Sequence, residues 1–498
     1  MKLSVKLILV TLTSLICLTS GCRKDSGKEE PADIPKGQFY YALLDLGVDV
    51  DHNLSISQAE ADMVTVLLIS GKNLQDLNGI GAFTNLTSLV CNDNNLYSLD
   101  LSKNILLHEL NCSNNQLQYL DISYNKNIRN LNCSNNNISS LILSDENDLQ
   151  SLNCSKNALT GINISSSPEL VTLSCQENSL AHLDVSGKAY LTTLNCSYNN
   201  LTSLDITGDP VLTWLHCGSN KLSTLDVSTN LLLDYLQFND NLLTDIDISE
   251  NTILRSLWCD NNRLSELDLS PNKNLEVLHC SYNNITNLEI SGFNKLQDVY
   301  CYRNSMVSLD LSNNVSLGYI RCENNKLTSL NVSGDKVLYY LECSKNELAS
   351  LDIKDNYLNS LRCNNNKLSI LDLSGKNRLV YLICQDNLLT SLDLSDLNNL
   401  QFLQCADNYL TTLDLTRLSD LRELYCGGNQ IDSLDLSNNK AMGDHPNFHF
   451  SDYPYDLSLT DMPSLGKVCV WTSPFPPESV EVDTTGSPNI VFTMLCNK

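Results

Sequence analysis

From residue 86 to 436 the apolar positions of the chain recur on one short template. A single unit shows it: Leu107, Leu110, Cys112, Leu117, Leu120 and Ile122 are apolar, with Asn115, Asp121 and Ser123 at fixed polar places, giving LxxLxCxxNxLxxLDLSxNxx. Cysteine returns at 91, 112, 133, 154, 175, 196 and 217, each 21 residues after the last. Phe238 takes the next place, and Cys259, Cys280, Cys301, Cys322 and Cys343 continue. One residue is then missing before Cys363, after which Cys384, Cys405 and Cys426 resume the period. Leu110-Asn111-Cys112 alternates in, out, in, which is the period of a strand. Leu120-Asp121-Ile122 alternates in the same way and predicts a second short extended segment on the opposite wall. Twenty-one residues leave no room for a helix of normal length. The chain is therefore expected to be a solenoid of β and irregular structure, each turn stacking one strand on the previous one. Asn115 follows the strand where the backbone turns, and its amide can pair groups the bend leaves open, so stacked copies predict an asparagine ladder.

This frame is that of the leucine-rich repeat, and its details resemble internalins, in particular the internalin J type, whose repeats carry cysteine at a strand core position. The resemblance covers about residues 66–440, about eighteen repeats. Before Cys91, a 22-residue unit with Ile69, Leu74, Leu77, Ile80, Phe83 and Leu86 looks like the commoner internalin repeat. The resemblance implies a right-handed, curved solenoid with a parallel sheet on its concave face and few helices. It also implies display on a bacterial surface and binding to host molecules or other cells. The chain departs from internalins in its tail, which shows no cell-wall sorting pattern.

The ends of the chain add an address and two caps. Lys2 and Lys6 precede an apolar run from Leu7 to Leu18 that ends in Thr19-Ser20-Gly21-Cys22. That is the form of a secretion signal over 1–21, and Cys22 resembles the lipidated cysteine of bacterial lipoproteins. Residues 22–37 read as the lipidated cysteine and a flexible tether, so the expected location is the outer membrane of a Gram-negative bacterium, facing outward. Residues 38–65 read as a helical amino-terminal cap, and 441–498 as an irregular insertion and a β-rich carboxy-terminal cap. Its strands are expected at Val468–Trp471, Val480–Val482 and Asn489–Met494. Secretion permits a disulfide between Cys469 and Cys496, the two tail cysteines outside the ladder.

Composition narrows the function. Thirty-two Lys and Arg against 58 Asp and Glu give a net charge of −26, which excludes nucleic acid as the default partner. Zinc sites want closely paired ligands, which the 21-residue spacing does not supply, and neighbouring rungs hold their cysteines parallel rather than in disulfide geometry. The cysteines are expected to be buried thiols packing as small apolar groups. No nucleophile-elbow spacing occurs, and the chain reads as a binding protein, not an enzyme.

Three other features carry candidate chemistry. Asp49, Asp51, Asn53, Ser57 and Glu60 stand at positions 1, 3, 5, 9 and 12 of an EF-hand-like loop, a possible calcium site. Leu54 occupies the place where glycine makes the sharp turn, and the competing reading is a cap that keeps the loop shape without metal. His445 and His449, between Asp444 and Asp452, read as a solvated loop. An acidic residue fills the centre of the second segment in fourteen of seventeen units, from Asp100 to Asp435, with Ile142, Asn163 and Asn331 the exceptions. Either solvent screens that column or turn donors bind its carboxylates.

The residues one and three before each cysteine, and the one after it, point into the concave face. In the first six units they are mostly Ser, Asn and Thr. From the seventh they become Trp214, His216, Tyr235, Trp258, His279, Tyr300, Tyr302, Tyr319, Arg321 and Tyr340. Core packing does not require them, and rings on a rigid sheet offer contact area at little conformational cost. These ten residues are the expected ligand site of a monomeric adhesin-like protein, taking a protein or glycan on a host or neighbouring cell. The alternative is a nutrient-capture lipoprotein that holds glycan or peptide for partner enzymes.

Overall fold

A computed structural model describes residues 30–444 and 455–496 of the chain. Cys22 and the signal segment lie outside the described residues, as do His445, His449 and Asp452. Each unit contributes a three-residue strand whose central residue is buried and whose flanking residues face outward, as in Glu109–Asn111 and Trp214–His216. Successive strands pair in parallel and in register, Leu110 beside Leu131 and Leu131 beside Leu152. They form one 20-stranded sheet that begins at Val66–Leu68 and ends at Val482–Asp483. The ladder cysteines are fully buried, and so is Phe238 in their column. The one-residue deletion before Cys363 does not disturb the sheet, since Tyr340–Glu342 still pairs in register with Ser360–Arg362. The missing residue is absorbed on the other wall.

The asparagine ladder forms as expected. Asn115 Oδ1 accepts from the Leu96 N–H at 2.9 Å, while its Nδ2 donates to the carbonyls of Cys91 and Cys112 at 3.1 Å. Each amide thus ties its own turn to the one before it. Two residues after each cysteine the backbone is left-handed in nearly every unit, as at Asn114, Lys156, Tyr198 and Arg303. A non-glycine residue pays an energetic penalty there, and the surrounding amide bonds hold it in place.

On the opposite wall only a few segments pair as strands: Tyr119–Asp121 with Ser140–Ile142, Ser308–Asp310 with Ser329–Asn331, and a set at the tail. The second strand expected in every unit is therefore mostly irregular. Along the acidic column Asp100, Asp121, Asp205 and Asp414 each accept from the backbone N–H two residues on, at 2.9–3.0 Å, a local turn bond made in paired and unpaired units alike. With hydrogen bonds continuous on one wall and broken on the other, the sheet is the inner, concave side. A second asparagine column compensates: Asn125 Nδ2 donates to the carbonyls of Leu101 and Asn104, and Asn230 and Asn251 repeat the pattern.

The tail is not a separate cap but two further turns. Leu424 pairs with Leu457 and Leu457 with Val482 on the sheet, while Leu434, Val468 and Phe492 align on the far wall. The expected strands at 468–471, 480–482 and 489–494 are found as Lys467–Cys469, Val482–Asp483 and Val491–Thr493. At the other end, helices Gln38–Asp45 and Gln58–Met63 cover the first rung, Phe39 and Leu43 buried and the Phe39 ring 6.3 Å from that of Phe83.

Candidate functional site

The concave residues singled out by sequence fall in two groups on neighbouring rungs. Trp214 stacks on Tyr235 with centroids 5.0 Å apart, and His216 meets the Trp214 edge at 5.9 Å. Beyond them runs a continuous pile. Trp258 and His279 are 3.6 Å apart, His279 and Tyr300 4.0 Å, Tyr300 and Tyr319 5.2 Å, and Tyr319 and Tyr340 4.2 Å. The pile crosses from the third strand residue to the first between Tyr300 and Tyr319. Parallel in-register strands set this geometry, because equivalent side chains on adjacent rungs lie at about stacking distance. All ten residues are half-buried rather than fully exposed. Their faces cover one another, and edges and polar tips are what the pile presents.

Charges flank the rings. Arg321 lies over the Tyr302 ring at 4.7 Å and pairs with Glu323. His279 Nδ1 is 3.6 Å from Asp260, and Arg362 is 3.5 Å from Glu342. Burial, then the neighbouring tyrosine hydroxyl, pushes the Tyr300 and Tyr319 phenols up to about 12. Burial lowers His216 and raises Asp298, so His216 is neutral at physiological pH. Arg321 and Arg362 are paired with the buried Glu323 and Glu342, which leaves Asp260 and Asp298 as the carboxylates that the face presents.

The row continues past Tyr340, the last ring expected from sequence. Arg362 sits over the Tyr381 ring at 4.6 Å, Tyr381 stacks on Phe402 at 4.3 Å, and Phe402 lies 5.6 Å from Tyr425. The same strand positions carry the signal, with Ser360 breaking the first-position column between Tyr340 and Tyr381, while Phe402 and Tyr425 are buried.

Among solved structures, the functional domain of InlJ from Listeria monocytogenes, which includes a cysteine ladder, matches with 27% identity over 89% of this chain and 83% of that one, TM-score 0.55. The chain is a cysteine-ladder leucine-rich-repeat solenoid. YopM from Yersinia enterocolitica shares the fold at 20% identity, covering 94% and 96% of the two chains with a TM-score of 0.66. So does the plant peptide hormone receptor RGFR1, solved in complex with RGF2, at 21% identity, 81% and 77% coverage and TM-score 0.61. No protein-family model and no curated protein matches the chain.

In this solenoid the cysteines pack as core. Burial pushes the Cys91, Cys154, Cys217, Cys384 and Cys426 thiols up to about 12 and raises the other ladder thiols well above their usual value. Cys469 and Cys496 of the tail are paired as a disulfide, Cα atoms 5.7 Å apart. In the cap loop, Leu54 takes the left-handed conformation (φ 65°) despite its side chain. Asp49, Asp51 and Glu60 converge to within 4.8 Å, but backbone donors already serve their carboxylates. Val50 and Asp51 donate to one oxygen of Glu60 and Ser57 to the other, Asn53 and Leu54 to Asp49. Asn53 Nδ2 donates to Asp51, and Ser57 and Glu60 form a capping box that starts the second helix. These bonds give the loop its shape from the chain's own groups.

Proposed function

We propose that the protein is a cell-surface binding protein, not an enzyme, which takes a protein ligand on a host or neighbouring cell along the concave rings from Trp214 to Tyr381. The observation that carries this reading is the stacked pile itself. Rings whose faces are covered by each other present edges, hydroxyls and flanking charges, which suit the mixed apolar and polar surface of a protein. A sugar ring, by contrast, lies on an open aromatic face. The acidic balance of the patch favours a partner with basic side chains, whose association weakens as salt rises. The location proposed is the outer face of a Gram-negative outer membrane, with Cys22 lipidated. Palmitate incorporation that survives Cys22→Ala would remove the anchor from this reading.

The test is attachment of purified protein to proteins extracted from host-cell and neighbouring-cell surfaces. The variant is Trp214, Trp258 and Tyr300 all changed to Ser. It removes four stacked pairs at about 0.5–1.5 kcal/mol each, a loss that lowers the melting temperature without threatening the core. Asp298→Lys is the companion: it leaves every ring and reverses the central charge. Loss of attachment in both variants supports the reading, and unchanged attachment in both moves the site elsewhere.

A further inference from the structure

At the amino-terminal end, away from the concave face, a cleft of about 880 Å3 opens between the arm at Asp33–Pro35 and the first turns of the irregular wall. Its size lies in the roughly 300–1,000 Å3 range of small-molecule sites. One wall is fixed by close backbone approach. Ile34 is buried, and a Cβ at Gly79, whose φ is +96°, would sit 2.7 Å from the Ile34 Cα. The arm therefore rests directly on the first turn, and the cleft is built into the junction.

Three tyrosines line it: Tyr97, Tyr119 and Tyr124, exposed by 57%, 46% and 62%. Unlike the half-buried concave rings, they have no stacking partner among the described residues and are exposed, which leaves ring surface available to a ligand. Between them stand polar groups. Asp100 and Asp121 are held ionised by the turn N–H groups of Ser102 and Ser123, and the Tyr119 hydroxyl donates to Asp121 at 3.2 Å.

The sequence carries an independent sign. In the repeat frame, Tyr97 corresponds to Gln118, Ser139 and Thr160, Tyr119 to Ser98 and Ser140, and Tyr124 to Lys103 and Asp145. No other unit of the ladder has Tyr, Phe or Trp at any of these three places. The frame asks for small or polar residues, and it is broken three times, all within one cleft. The regular architecture does not account for that.

We propose that this cleft is a binding site for a neutral oligosaccharide. Open ring faces take the apolar C–H face of a pyranose, while ionised carboxylates and the Gln118 amide take its hydroxyls. Acidic glycans are disfavoured, because Asp33, Asp100 and Asp121 outnumber Lys103 at the site and the chain carries −26 overall. The proposal does not depend on the concave site, and the two fail separately.

The experiment is calorimetric titration of the purified chain with neutral hexasaccharides of glucose, N-acetylglucosamine, mannose and xylose, with hyaluronan and polygalacturonate fragments as acidic controls. At least one neutral oligosaccharide is expected to bind. Changing Tyr97, Tyr119 and Tyr124 together to Ser should weaken it at least tenfold with an unchanged far-ultraviolet spectrum. Tyr97→Phe, which keeps the ring, should retain binding, and the concave Trp214→Ser variant should bind as the parent does. The proposal is overturned if no neutral oligosaccharide binds at millimolar concentration, if the acidic fragments bind more tightly, or if the triple variant binds like the parent.

Discussion

Asp209→Asn should stabilise the protein, and more so at pH 8 than at pH 4. In the outer-wall column, Asn230 donates to the carbonyls of Ile206 and Asp209 at 3.0 and 2.9 Å, and Asn251 does the same one rung on. Asp209 occupies that place with no donor to offer when ionised, and the corresponding carbonyls are those of Val185 and Lys188. It is fully buried and both its carboxylate oxygens lack a hydrogen-bond partner. Burial raises its pKa from 3.8 to about 7, against the opposing charge of Lys188. The folded state then holds a proton that the unfolded state has lost. The stability linked to that proton is complete below the unfolded midpoint and declines as pH rises from about 4 to 7, by about 1.4 kcal/mol per pH unit, or roughly 4 kcal/mol at most. Asparagine removes this slope and adds two hydrogen bonds of about 1 kcal/mol each. Urea midpoints of the parent and the variant between pH 4 and pH 8 provide the assay. The expected gain is about 1–2 kcal/mol at pH 4 and larger by up to roughly 4 kcal/mol at pH 8. A gain that is absent, or the same at both pH values, refutes the reasoning.

The native ladder thiols should resist a disulfide reagent at pH 8 and react only after denaturation, since burial keeps them protonated; rapid labelling of several in the native state would count against a packed column. Asp414→Asn should leave the melting temperature nearly unchanged, because Asn163 and Asn331 accept the same turn N–H at 3.1 Å, whereas Asp414→Ala should lower it. Since the outer-wall carboxylates sit below their usual range through turn hydrogen bonds, their contribution is present at neutral pH and lost as pH falls through the folded midpoint; Asp414→Asn should flatten part of that acid loss. Millimolar calcium should give no heat and no thermal shift with the whole protein, since the carboxylates of Asp49 and Glu60 already accept backbone donors; a clear shift would restore the loop as a metal site.

The inner sheet was legible because one unit is printed seventeen times, and a period so long confirmed can only stack. Leu110, Cys112 and Asn115 each state their role in residue type and spacing alone. The outer wall was less legible. Leu120-Asp121-Ile122 alternates like a strand and does pair, whereas Leu204-Asp205-Ile206 alternates identically, makes the same turn bond and does not, so hydrophobic pattern does not encode which segments pair. The last two turns were missed as turns because Leu457 and Val482 are not spaced by the period, and only their pairing with Leu424 reveals them. Calling the concave residues from ring content found the central pile, yet it ended the row early at Ser360, where Arg362 carries it across to Tyr381.

The cleft was hidden for a different reason: its walls come from Asp33, Gly79 and Tyr124, joined only by the fold. Its relation to the concave row can be argued from the solenoid itself. Between the rungs of Tyr97 and Tyr119 and that of Trp214 lie several turns, at about 4.8 Å each, that carry small polar residues on the sheet. A solenoid couples mainly neighbour to neighbour, so a change on one rung fades over a few turns. The two surfaces also face opposite walls, with the buried cysteine column between them. Substitutions at Trp258 and at Tyr119 should therefore add in stability and leave each other's binding untouched. A ring pile with covered faces and a cleft with open ones would let one rigid scaffold engage two chemically different ligands at once, with little ordering of the chain required for either.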